Sequence, residues 1–383
     1  MSQSVPQSTS VLASAPDAAQ SREGEISIKF ERLLPFLEER GFSAVLLSRN
    51  ENQAWITAGQ FEARVALGSE SAVASFLITK GGRKYCITSE NEAPRLTHEE
   101  LAGLGYELVT YPWWGSPAGI IGELAGDRLG ADTPQPGAEL INLTGLRAPL
   151  LETEIARFRQ LGVETAEATV AVLEDLEPGV TEHEMAAQIS FELLVRGITP
   201  TVLLMGADER IYNYKHAVPR SGVLERYGML NLCARRSGLV ISITRFVHFG
   251  EPPAELLRNF EHVAKINAAL LHATKDGATS SALYAAAAEA FAAAGAPDDI
   301  RLHHQGGPCG YGERDWIITP EGAQRVTLPQ AYAYNPSLRG AKVEDTAIVT
   351  PSGVEVITAT PTLPVIETVL DGVVYPASNV LVK

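Results

Sequence analysis

Four short stretches decide how this chain folds: Met229-Leu230-Asn231-Leu232-Cys233, Val240-Ile241-Ser242-Ile243-Thr244-Arg245, Ala333-Tyr334-Asn335-Pro336-Ser337 and Val343-Glu344-Asp345-Thr346. The turn His303-His304-Gln305-Gly306-Gly307-Pro308 lies between the second and the third. The first two stretches set Asn231 and Ser242 between apolar neighbours. The Gly306-Gly307 pair marks a tight turn where backbone must come close to something, because glycine has no Cβ.

Outward from these stretches the sequence repeats itself. Pro178-Gly179-Val180-Thr181 opens a helix that runs to Gly197, and Asp276-Gly277-Ala278-Thr279 opens another that runs to Gly295. Amphipathic helical stretches precede them, Glu152 to Leu176 and Glu255 to Ala273. Thr181 with Glu184 forms a capping-box pattern, in which the Thr oxygen takes a free backbone N–H and the Glu returns the bond. Two helix pairs that each feed strands predict a pseudo-symmetric α+β domain closed around a cleft. Upstream, Phe30 to Leu37 carries apolar residues at helical spacing and stops at Gly41. Ala44 to Leu47 suits a buried strand, and Ala74–Thr79 with Tyr85–Thr88 reads as a hairpin around Gly81-Gly82. The chain thus divides into a disordered tail (1–24), a small α/β domain (25–150) and a larger α+β domain (151–383), with turns at 132–137 and 145–151 marking the boundary.

The order and spacing of the four stretches resemble the creatinase/prolidase (M24, "pita-bread") family of Xaa-Pro peptidase-like proteins. The upstream layout is similar to the N-terminal domain of the same family. In that family two strand positions carry Asp, two later positions carry Glu, and a His in a Gly-His-Gly turn completes a two-metal site. The resemblance sets Asn231, Ser242, Gly307, Asn335 and Glu344 at those positions, where Glu344 alone keeps the family's ligand. Two divalent ions ~3.5–4 Å apart need several anionic oxygens to offset their charge. Asn and Ser offer neutral oxygen and Gly offers no side chain, so no bound metal and no other cofactor is expected.

Much of the surrounding polar equipment persists. His216 falls where metal-free creatinase has its acid–base His, and an ordinary imidazole pKa near ~6.5 lets one group take and give a proton at neutral pH. His303 matches the first His of the family's His-x-x-Gly-His pattern. The resemblance therefore implies His216 and His303 as catalytic residues. It implies His304, Tyr311, Arg314, Asn335, Arg339, Lys342 and Glu344 as substrate contacts. Arg314 stands where the family has a second pocket His, and its fork would suit a ligand carboxylate. Arg245 corresponds to a family Arg that is usually structural. Asn335 replaces a Glu that helps creatinase hold its cationic substrate, so creatine specificity does not carry over. Arg245, Arg314, Arg339 and Lys342 together predict a cationic cleft that favours an anionic small molecule or a peptide carboxylate.

A chain of 383 residues, 45% hydrophobic and 20% charged, has ample length for a real core. A net charge of −15 argues against nucleic-acid binding, which needs a Lys/Arg surplus. No apolar run approaches the ~18 residues of a membrane span. Met1 to Gln20 has neither a basic start nor an apolar core of the signal-peptide kind. Cys86, Cys233 and Cys309 are too scattered for a disulfide framework or a zinc site, which points to the cytoplasm, and Cys309 reads as a small buried hydrophobe. The expected ligand is a small molecule or short peptide, and the resemblance implies a homodimer. Three functions stay open. The preferred one is a metal-independent hydrolase of a C–N bond in a small amide, amidine or dipeptide-like substrate. The others are a metal-dependent Xaa-Pro dipeptidase or aminopeptidase, and a non-enzymatic peptide-binding pseudopeptidase.

Overall fold

Ser21 accepts a hydrogen bond from the Gly24 N–H at 3.0 Å and opens the helix Arg22–Arg40, which Gly41 ends in the left-handed conformation (φ +69°). The computed structural model describes residues 21–383. Ser21 to Gly24 therefore belong to a capped helix and not to the tail expected over 1–24. The helix begins well before Phe30 because its first turns carry Glu25 and Lys29, polar residues buried against the rest of the protein. The remainder of the expected tail lies outside the described residues.

This helix covers a six-stranded mixed sheet ordered Glu107–Tyr111, Lys84–Ser89, Ser71–Thr79, Ala44–Arg49, Leu129–Ala131, Ala138–Leu140. Strands Ser71–Thr79 and Lys84–Ser89 pair antiparallel, as the hairpin reading requires. The apolar run Ala44–Leu47 is fully buried at the centre of this sheet. Gly238 fits the larger domain's surface against the smaller one. A Cβ there would come within 2.4 Å of the Ala54 Cβ, and φ is +77°.

The larger domain is built twice over. The long helices Glu152–Asp175 and Ala254–Ala273 are followed by Glu182–Leu194 and Ser280–Ala293, each N-capped by a Thr, Thr181 or Thr279. Both capping threonines also form an isolated antiparallel bridge to a later loop, Thr181 to Val223 and Thr279 to Arg325. One four-stranded sheet then runs Leu381–Val382, Leu239–His248, Tyr227–Arg236, Thr199–Ala207, and the other Gly306–Cys309, Gln330–Tyr334, Asp345–Thr350, Gly353–Val356. The sheets meet where the Thr244 N–H donates to the Glu344 carbonyl (3.0 Å) and the Ser242 N–H donates to Thr346 Oγ1 (2.8 Å). That seam brings the four decisive stretches together. Among the described residues no helix is long and apolar enough to cross a membrane.

The two domains are tied by a buried ionic cluster. Lys29 Nζ lies 2.6 Å from Glu25 Oε1 and 2.7 Å from Glu154 Oε1, and all three side chains are wholly buried. Arg157 grips Glu25 with two bonds of 2.7 and 2.8 Å. Burial would raise the Glu25 pKa, but the Arg157 bonds and the Lys29 charge hold it at about 2. Tyr311 closes the cluster by donating to Glu154 Oε1 at 2.7 Å and accepting from Lys29 at 2.8 Å. Removing one partner of such a group leaves uncompensated buried charge. Lys29→Met is accordingly expected to destabilise the protein by about 3–5 kcal/mol. Urea unfolding would measure it, and a loss below about 1 kcal/mol would show that the cluster is not holding the domains together.

Candidate active site

Glu344 sits at the end of the strand seam with its carboxylate 4% exposed. Its Oε2 accepts from Asn231 Nδ2 (2.7 Å), Thr244 Oγ1 (2.8 Å) and Lys342 Nζ (2.8 Å), and its Oε1 accepts from Arg314 Nη2 (3.1 Å). Lys342 also donates to Asn231 Oδ1 (3.1 Å), and Arg314 Nη1 donates to Ser242 Oγ (3.0 Å). Burial would raise the Glu344 pKa, but Lys342 and Arg314 outweigh it and hold the carboxyl at about 2. The polar atoms of Asn231, Ser242 and Glu344, three of the positions that the family resemblance assigns to metal ligands, are thus bonded to a protein ammonium and a protein guanidinium.

Gly307 holds no ligand for a steric reason. It lies in the strand Gly306–Cys309, and a Cβ there would stand 2.2 Å from the Trp316 carbonyl oxygen, so neighbouring backbone occupies the place of any side chain. Asn335 is buried just beyond the strand Gln330–Tyr334, its Oδ1 without a hydrogen-bond partner. The donor set of one paired carboxylate, two amides, one hydroxyl and a glycine does not fit a pair of divalent ions.

Three histidines lie beside this centre. His216 follows the short helix Glu209–Asn213, and His303 and His304 follow the short helical turn Asp299–Leu302. His303 Nε2 and His216 Nε2 are 3.0 Å apart, and the His303 and His304 rings stack with centroids 4.4 Å apart. One nitrogen of each ring falls within 4.8 Å of the others. The stacked pair is inclined by only 25°, and His304 Nδ1 accepts from the Gly306 N–H at 3.3 Å. Burial, then the Lys342 charge, lowers the pKa of His216. Burial and Lys342 take His303 down to about 3, and burial with Arg314 takes His304 down to about 4. All three imidazoles are neutral at pH 7.

Several expected site residues are elsewhere. Tyr311 does not face the cleft, since its hydroxyl is consumed by Lys29 and Glu154. Arg339 is exposed and lies over the Tyr212 ring at 5.6 Å, away from Glu344. Arg245 is structural, with its guanidinium buried on Asp345 Oδ1 (2.6 Å) and the Thr358 carbonyl (2.7 Å). Of the four expected cations the cleft therefore keeps Arg314 and Lys342, without Arg245 or Arg339. Arg314 pairs with Glu344 and not with the adjacent Glu313 or Asp315 side chains. Cys309 is buried, and its thiol is pushed up by burial to about 12, which suits a structural role. Sequence reading passed over Lys215, whose amine reaches Ser337 Oγ at 3.0 Å; its place directly before His216 was the available signal.

The family model described as Metallopeptidase family M24 matches residues 156–351. The chain belongs to that family. It is similar to the probable dipeptidase PepE of Mycobacterium tuberculosis, with 28% identity over 228 residues, which span 55% of this chain and 58% of that protein. It is also similar to the Xaa-Pro dipeptidase of Lactobacillus delbrueckii, with 25% identity over 222 residues and 59% of that protein covered. Its fold matches the Xaa-Pro dipeptidase from Bacillus anthracis (TM-score 0.71, 20% identity, 94% of this chain and 100% of that one). The prolidase from Pyrococcus horikoshii also matches (TM-score 0.72, 18% identity, 87% of this chain and 98% of that one).

The depressed histidines have a pH consequence. Below their ordinary value of 6.5, the unfolded chain protonates His303 and His304 while the folded chain does not until pH falls to about 3 and 4. The unfolded state then binds more protons, so stability is lost as pH falls through that window. Urea midpoints taken from pH 7 to pH 4 should drop, and the drop should be shallower in His303→Gln. An identical slope in wild type and variant would show that His303 is not held neutral.

Proposed function

We propose that this chain is a metal-independent, hydrolase-like M24 protein acting on a C–N bond in a small amide, amidine or dipeptide-like substrate, with His216 and His303 moving the protons. The observation that carries this reading is the placing of Lys342 and Arg314 on Asn231, Ser242 and Glu344. Like unit charges ~4 Å apart repel by ~4 kcal/mol at an effective dielectric of about 20. A divalent ion entering here would meet about twice that repulsion from each of the two cations, with only one carboxylate to offset it. The metal-dependent reading draws support from the similarity to dipeptidases and Xaa-Pro dipeptidases, and this donor set opposes it.

The chemistry follows from neutral imidazole beside fixed cations. His216, the more exposed of the pair, takes a proton from water while the oxygen adds to the substrate carbon. The developing oxyanion faces the Arg314 and Lys342 donors, which are already oriented by Glu344. The imidazolium returns its proton to the departing nitrogen as the C–N bond breaks, so one water is consumed and an acid and an amine leave. His303, in contact with His216 through Nε2, orients it and shares its proton. His304, Asn335 and Arg314 complete the substrate contacts in this reading. A cytoplasmic homodimer belongs to it as well, supported by the family resemblance and by the three free, buried cysteines.

Elemental analysis after exhaustive dialysis should find no stoichiometric manganese, cobalt or zinc, and turnover of dipeptides or N-acyl amino acids should survive chelator. One or two ions per chain bound in the cleft, or activity abolished by chelator, would overturn the metal-free mechanism. His216→Ala should lower kcat by about 10²–10⁴ without moving the melting temperature. Turnover close to wild type would remove His216 from the mechanism. A wild-type protein that binds dipeptides but turns over none of a broad amide screen would instead be a peptide-binding pseudopeptidase.

A further inference from the structure

Beside the histidines the charges do not balance. Lys342 and Arg314 both pair with Glu344, and Lys215 lies near Lys342, with Asp299 the carboxylate that acts on it from beyond ion-pair distance. Lys215 forms no ion pair among the described residues. Its amine donates to Ser337 Oγ at 3.0 Å and is poorly placed on the Ser337 carbonyl at 3.4 Å. Ser337 is the direct partner of Lys342 in a two-stranded antiparallel ladder, which puts the two lysines on one small wall. Between them is a hollow of about 20 Å³ lined by Lys215, Lys342, His303 and Ser337, with Met229 and Phe246 among its apolar sides. That is room for about one water-sized group. His303 Nδ1, buried beside the hollow, has no hydrogen-bond partner.

We propose that this hollow is an anion subsite that takes one oxygen of a ligand carboxylate, or a monatomic anion of that size, between the Lys215 and Lys342 amines. A partly buried ammonium whose direct partners are a hydroxyl and a carbonyl, with Asp299 acting on it only from beyond ion-pair distance, is incompletely compensated for its burial. A cation is repelled from this place, and a water would supply no charge. The apolar walls limit the occupant to a single small atom or one end of a carboxylate. The subsite deepens the proposed function by assigning the substrate an anionic end close to His216 and His303. Its physiological meaning rests on that reading, whereas occupancy is measured without turnover, so the two can fail separately.

Calorimetric titration of wild-type protein with sodium acetate and with sodium bromide, in a buffer of bulky sulfonate anions, tests the site. Crystals grown in bromide and measured at its absorption edge locate the ion. Saturable acetate binding is expected, weakened about tenfold in Lys215→Met, the order of one charge-assisted hydrogen bond, and retained in Lys215→Arg. Acetate without bromide assigns the hollow to a carboxylate oxygen, and both together assign it to small anions in general. No saturable binding of either anion up to about 100 mM, a millimolar-or-weaker limit on the affinity scale, would overturn the subsite. Equal affinity in wild type and Lys215→Met would do the same. If Lys215→Met does not fold, the anomalous signal in wild-type crystals decides: bromide between Lys215 and Lys342 supports the site, and an empty hollow overturns it.

Discussion

A carboxylate as deeply buried as that of Glu344 must have its charge answered from within the protein, because the effective penalty for burying an ion is several kcal/mol. Here the answer comes from Lys342 and Arg314. Each cation also holds one of the altered ligand positions, Asn231 for Lys342 and Ser242 for Arg314. These four contacts are mutually dependent. An amide and a hydroxyl leave both cations short of negative charge, so they share one Glu, and a shared Glu with two cations gives the cleft a net positive character. The same positive charge, added to burial, keeps the neighbouring imidazoles neutral. Charge sign, histidine protonation and the misfit to divalent metal are consequences of one arrangement.

The smaller domain contributes to that arrangement through the junction it forms with the larger one. The segment carrying Arg314 is held at both ends by contacts across the domain junction. Tyr311 is fixed by Lys29 from the first helix together with Glu154, and Asp315 is fixed by Arg147, whose guanidinium also reaches Glu51 and Asn52. With its flanks pinned, Arg314 has little freedom except to extend toward Ser242 and Glu344. Loss of the buried Lys29 cluster would therefore be felt in the cleft as well as in stability, because one short segment joins the two.

The periodic parts of the fold were readable from local pattern. The twin Gly-x-Thr starts, the capping pair Thr181 and Glu184, and the hairpin at Gly81-Gly82 all rest on backbone geometry that a few adjacent residues impose. The altered ligand positions were equally readable, since the chemistry of Asn231, Ser242 and Gly307 follows from their identity. Long polar side chains were another matter. Tyr311, Arg339 and Arg245 were all placed in or near the cleft by their motifs, yet each turns toward a partner distant in sequence, Lys29, Tyr212 and Asp345 respectively. Lys215 was overlooked for the converse reason, because its partner Ser337 is more than a hundred residues away.

By itself the sequence determined the repeat, the small α/β domain ahead of a larger α+β domain and the loss of carboxylates at the metal positions, because these depend on residue identity and short spacing. The tertiary structure alone decided which cations face Glu344, that the Trp316 backbone fills the space beside Gly307, and that His216, His303 and His304 gather with neutral rings. Those outcomes depend on where flexible side chains find compensation for buried charge. That compensation is a property of segments brought together by folding, and no local pattern encodes it.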